Sequence, residues 1–187
     1  MPGFVRRAAP RGRLVAGSVL LAPLLMGYRH GWVSPAMLRA AVVRAAFSGM
    51  PVARLQGIGE AFARDTLPGL LRADAMAQLQ RHRDAGDTVV VVSAGLDVYL
   101  APWCAAHGVA LLCSQLEVRD ARLTGRYLGA HCAGAEKARQ VREHYDLTRF
   151  QRIHAWGDTP EDVELLRLAQ QRIYRGRDIS GQPLPSR

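Results

Sequence analysis

The sequence predicts an α/β protein: a doubly wound, parallel, Rossmann-like sheet preceded by an all-helical N-terminal third. Three observations predict it. From residue 71 onward, helically periodic segments alternate with short apolar or β-branched runs, the pattern of a parallel sheet with helices on its faces. The run Thr88–Val92 is apolar on both sides, as a strand covered on both faces must be. Residues 12–29, 34–48 and 51–66 read as three successive helices. The chain has 187 residues, 49% of them hydrophobic, which suffices for one globular domain with a small appended one.

Each element has a local reason. Ser34-Pro35 starts a helix with proline at its first position. Gly49-Met50-Pro51 is a break followed by a new start. The texture changes at Leu67-Pro68-Gly69, after which residues 71–85 form an amphipathic helix closed by Gly86. The strand 88–92, a helix over 97–106 and a strand over 109–113 follow. Residues 116–128 read as a hairpin turning at Asp120-Ala121. A helix over 135–145, a strand over 153–156, a helix over 160–169 and a strand over 172–174 complete the series, and residues 180–187 read as a frayed tail.

Charge is unevenly spread. The net charge is +9, yet eight arginines precede the first acidic residue, Glu60, and the remainder is close to neutral. Such asymmetry suits nucleic acid or an anionic membrane. There is no long basic run and no interleaving of aromatic residues for stacking bases, so nucleic acid is not the expected partner. Cys104, Cys113 and Cys132 are odd in number and lack CxxC spacing, which argues against a disulfide framework or zinc ribbon and for a cytoplasmic protein. Residues 14–26, "LVAGSVLLAPLLM", follow four arginines. The run is too short to span a bilayer, and no small-x-small cleavage site follows it. A buried helix is expected and a membrane partner is not; a membrane-associated N-terminus through residues 14–26 is the alternative.

Three places could carry chemistry. Ser93 follows four valines, and "SAG" leads to Asp97 at a helix start. A hydroxyl and the Ala94 and Gly95 amides in a tight loop at a strand's end suit a phosphate oxygen; a serine satisfying its own loop is the plainer reading. Lys137 is the one lysine among 25 basic residues. A chain that otherwise uses arginine keeps lysine where a compact point charge is needed, unless it is simply a solvated helix residue. Asp158 and Asp162 bracket a strand end and helix start in "WGDTPEDVELL". Asp162 fits the third position of a capping box with Thr159. Both aspartates could also face a magnesium ion, which accepts few carboxylates, several waters and phosphate.

Together "VVVVSAGLDVYL", the lysine of "GAEKARQV" and "WGDTPEDVELL" resemble the second, third and fourth motifs of the haloacid dehalogenase-like hydrolases, in the phosphoserine-phosphatase-like branch. The "LTGR" hairpin and the helical stretch 12–66 also resemble that branch. The resemblance implies a helical cap over residues 1–68 and an α/β core over 69–187. It implies Mg2+-dependent hydrolysis of a small phosphorylated metabolite through an aspartyl-phosphate. Ser93, Ala94 and Gly95 would hold the phosphate. Lys137 would neutralise it and, with Ser93, take part in catalysis. Asp158 and Asp162 would serve the metal.

One departure is large. The family opens on a strand bearing two aspartates, and nothing like it precedes Glu60. The first central strand and the nucleophile are therefore expected to be missing, and the chain as given to be truncated and inactive. A non-catalytic phosphate-binding relative is the alternative. The nucleotide sequence before Met1 checks this: an in-frame Asp-x-Asp is the expected finding.

Overall fold

The computed structural model describes residues 2–184, and the alternation of helices and strands is present in the expected order. The helices are α1 (Pro2–Ala8), α2 (Arg11–Arg29), α3 (Pro35–Phe47), α4 (Val52–Asp65), α5 (Ala73–Asp84), α6 (Asp97–Ala106), α7 (Ala135–His144) and α8 (Val163–Leu166). The strands are β1 (Val90–Leu96), β2 (Ala110–Arg119), β3 (Arg122–Leu128), β4 (His154–Gly157), β5 (Gln171–Tyr174) and β6 (Arg177–Asp178). Hydrogen bonds join β1, β2 and β3 in one sheet and β4, β5 and β6 in another. The chain divides into two compact units, one of residues 1–91 and 95–131, the other of residues 92–94 and 132–187.

The first unit is organised by α1, which the sequence reading leaves unassigned. Phe4, Val5, Ala8 and Ala9 are buried with Val43, Phe47, Leu55 and Leu96. The Phe4 ring lies 5.3 Å from Phe62 and 4.7 Å from Tyr99, within the range where aromatic pairs attract. Ser34 accepts a hydrogen bond from the Met37 amide, as the expected Ser-Pro start requires. The β2–β3 hairpin turns at Asp120 and Ala121, both at positive φ (49° and 57°), the geometry that matches the twist of a two-residue hairpin. This hairpin is tied to the α3–α4 link: Gly49 N donates to Leu123 O at 2.7 Å, Leu123 N to Met50 O at 2.9 Å, and Val52 N to Ala121 O at 3.0 Å.

β1 differs from expectation in a way that bears on the site. It continues through Leu96, so Ser93, Ala94 and Gly95 are extended rather than folded into a tight loop. Leu96 is fully buried among the first unit's apolar residues, and that burial draws the chain on as a strand until α6 begins. Among the described residues no helix is long and apolar enough to cross a membrane.

In the second unit β4 pairs in parallel with β5, and β5 in antiparallel with β6. The helix expected over 160–169 is shorter, a 3₁₀ turn over Pro160–Asp162 followed by α8. It stops early because the amides of Gln170 and Gln171 both turn back to the Ile153 carbonyl, at 3.1 and 3.2 Å. The tail is tied down at its start: the Ser180 hydroxyl accepts from the Arg172 amide at 3.0 Å, and Leu184 packs on Ala155, Leu166 and Ala169. Residues 185–187 of the expected frayed tail lie outside the described residues.

Two glycines of α4 separate close packing from propensity. A Cβ on Gly59 would fall 2.1 Å from the Val98 carbonyl oxygen of α6, whereas one on Gly57 meets nothing within 4 Å. Gly59→Ala should cost about 3 kcal/mol or more through backbone displacement, and Gly57→Ala should stabilise by about 0.5–1 kcal/mol. Urea denaturation of the two variants checks both signs.

Candidate functional site

The second unit contains Ser93, Ala94, Lys137, Asp158 and Asp162. Gly95 belongs to the first unit.

The site grows from the end of β4. Gly157 closes the strand, and its lack of a side chain is what lets Asp162 approach: a Cβ there would sit 2.5 Å from Asp162 Cβ. The chain then turns through Asp158 and Thr159 into Pro160, and the capping-box arrangement of Thr159 and Asp162 forms. Asp162 Oδ2 accepts from the Asp158 amide at 3.0 Å, the Thr159 amide at 2.9 Å and the Thr159 hydroxyl at 2.8 Å. Asp162 Oδ1 accepts from Lys137 Nζ at 2.5 Å. Both of its oxygens are thus engaged.

Lys137 lies in the first turn of α7 and is 7% exposed, as is Asp162. Such burial is tolerable for a charged pair when the geometry is close and the remaining lone pairs are satisfied. Burial pushes the Asp162 carboxyl up, but the hydrogen bond and charge of Lys137, with the Thr159 donors, outweigh it and hold the group below the ordinary 3.8.

Ser93 is brought to this cluster through a residue the sequence reading set aside. The Cys132 sulfur accepts a hydrogen bond from the Ser93 amide and lies within the field of Lys137. Cys132 is fully buried. Desolvation dominates its titration, pushing the thiol up to about 11 against the pull of Lys137, so it is a neutral packing group there. Spacing could not have found it, because its partners are distant in sequence. Arg175 was also missed: its Nε donates to the Asp158 carbonyl at 3.1 Å, and its own amide donates to Gly157 O at 2.9 Å.

Whether the residues suit magnesium turns on their oxygens. Among the described residues no three His, Cys, Asp or Glu side chains gather into a metal set. Asp162 presents both oxygens to N–H and O–H donors. Asp158 is exposed and supplies a hard carboxylate at the strand end. That donor set fits an ion that retains waters and shares a phosphate oxygen, and does not fit a cage made of protein ligands alone.

A second polar network lies in the first unit. His131 stands 2.7 Å from the buried Ser114 hydroxyl and 3.1 Å from Arg39 Nη1, with its ring stacked on Tyr127 at 4.6 Å. Each histidine taken singly reads as surface or packing, so nothing in the spacing announces this group.

Comparison with known proteins follows the same lines. The family model described as haloacid dehalogenase-like hydrolase matches residues 1–167. Protein CicA of Caulobacter vibrioides is 34% identical over 180 residues, covering 91% of this chain and 78% of the relative. A crystal structure of a protein with unknown function from Bordetella pertussis Tohama I is similar with a TM-score of 0.75 and 26% identity, over 91% of this chain and 79% of that one. A probable phosphoserine phosphatase from Vibrio cholerae has a TM-score of 0.70 at 14% identity, over 96% of this chain and 58% of that one. At that identity the likeness is one of fold.

Lys137→Met leaves a buried carboxylate without its cation and should cost about 3–5 kcal/mol, with part recovered in Lys137→Met/Asp162→Asn. The Asp162 carboxyl titrates below 3.8 when folded. The wild-type advantage over Asp162→Asn is therefore complete above about pH 4 and is lost as pH falls through the lower folded value. Urea midpoints across that range check both statements.

Proposed function

Because the chain belongs to the haloacid dehalogenase-like hydrolases, we propose that its second unit is the phosphate-holding part of a magnesium-dependent phosphatase of small phosphate monoesters. The observation that carries this is the buried Lys137–Asp162 pair beside the Cys132–Ser93 contact. It holds a compact cation near the serine that the motif reading assigns to phosphate. Two structures of phosphoserine phosphatase, at 13% and 14% identity, share the fold, and the family match supports a hydrolase reaction. The helical region 1–68 is then the cap, and residues 69–187 the core.

In this reading the Ser93 hydroxyl and the Ala94 amide donate to phosphoryl oxygens; Gly95 lies in the first unit, and in the extended strand its amide faces away from that of Ala94. Lys137 spends one N–H on Asp162 and offers its others to the dianion. Asp162 acts by fixing that ammonium and by ordering the 158–159 turn. Asp158 holds Mg2+, which when bound neutralises charge on the phosphoryl group. These residues bind, orient and neutralise; the bond-making carboxylate of the family reaction is none of them. The three cysteines are free thiols, which supports a cytoplasmic setting.

Calorimetry of the chain with inorganic phosphate and Mg2+ tests the reading. Binding is expected, and Lys137→Arg should weaken it at least about tenfold, because a planar fork does not replace a point charge in a tight site. A folded wild-type chain that takes up no phosphate overturns the proposal. Release of nitrophenol from p-nitrophenyl phosphate separates a working phosphatase from a phosphate-binding relative.

A further inference from the structure

We infer that the tip of the α2–α3 helical hairpin docks on the surface of an anionic lipid bilayer. Among the described residues ten large hydrophobic side chains are exposed, and five of them lie between Leu25 and Met37: Leu25, Met26, Tyr28, Trp32 and Met37. Trp32 is 82% exposed, Met26 62% and Met37 57%. Single exposed apolar residues need no explanation, but a cluster that includes tryptophan at such exposure does.

The cluster is built, not frayed. The Trp32 and Val33 amides both donate to the Gly27 carbonyl, at 2.8 and 3.2 Å, closing the turn between the helices. Gly27 is buried, and a Cβ there would meet Val33 Cγ2 at 2.8 Å, so the turn is packed on its inner side. Outside it, the His30 ring lies 5.5 Å from Trp32. Helices α2 and α3 pack against each other, which fixes the direction in which the tip faces.

Charge selects the occupant. Arg29 is exposed at the tip, and the whole of α1, α2 and α3 carries arginine with no acidic residue, the first being Glu60. A second copy of this chain would set one arginine-rich face against another, and like charges oppose that contact. An anionic bilayer instead offers headgroup charge to the arginines and an apolar boundary to the side chains. Tryptophan and tyrosine prefer the headgroup level, with leucine and methionine reaching the acyl boundary. No described helix can cross a bilayer, so the binding lies in the interface plane. The sequence leads to a buried helix and no membrane partner, with a membrane-associated segment 14–26 as the alternative; Leu25 and Met26 of that segment are exposed, and attachment through residues 25–37 does not depend on the phosphate site.

Flotation of the full chain with phosphatidylglycerol-containing phosphatidylcholine vesicles tests the inference. The chain should float with these vesicles, and much less with phosphatidylcholine alone or at high salt. Met26→Ser/Trp32→Ser should lower partitioning by about tenfold or more, and Arg29→Gln by about fivefold. Hydrogen exchange on the wild-type chain, which needs no substitution, should show vesicle-induced protection centred on residues 25–37. A folded chain that ignores anionic vesicles, flotation unchanged by the double substitution, or protection elsewhere overturns the inference. So does a vesicle-free dimer that the double substitution dissolves.

Discussion

The second unit depends on one interaction, the buried bond between Lys137 and Asp162. Taking an ammonium and a carboxylate out of water is costly, and their mutual attraction offsets this only with close geometry and full satisfaction of the remaining polar atoms. The chain meets both conditions. One carboxylate oxygen faces the lysine; the other gathers two amides and a hydroxyl from Asp158 and Thr159. The same acid therefore fixes a cation on α7 and shapes the turn that follows β4. Gly157 is a consequence of this constraint, because no other residue lets the carboxylate come so close. A pair assembled in this way is a poor means of gaining stability but a good means of setting a charge at a defined point.

The first unit is held by different physics. Phe4, Phe62 and Tyr99 form an aromatic cluster that joins α1, α4 and α6. The β2–β3 hairpin is fixed by backbone bonds to the link between α3 and α4. Its one buried polar group of note, Ser114, is met by His131, whose other ring nitrogen faces Arg39. Apolar burial supplies the cohesion there, and polar groups are admitted where a partner is present.

Much of this was legible in the amino-acid order. Four consecutive valines announced β1, and Asp120-Ala121 marked the hairpin turn that the structure forms. The lone lysine stood out by composition before any geometry was known. The capping-box spacing of Thr159 and Asp162 likewise appears as read. What was not legible depended on distant partners. Helix α1 is too short to be stable by propensity, and Phe4 orders it only through Phe62 and Tyr99. Ser-Ala-Gly reads as a loop, yet Leu96 is buried and the strand continues. β6 was missed because its turn uses Arg175 and Gly176, both at positive φ, without an asparagine or aspartate to signal it. The contact of Cys132 with Ser93 joins residues that local pattern cannot connect.

The rarity of lysine has a practical consequence. A protease that cuts after lysine alone meets a single susceptible bond in the whole chain, between Lys137 and Ala138, within the first turn of α7 and beside a side chain sealed by Asp162. Digestion must wait until that turn opens, because a protease needs an extended backbone. Two fragments of unequal length would then mark each such opening, so the polypeptide carries its own clock for local unfolding around the Lys137–Asp162 pair.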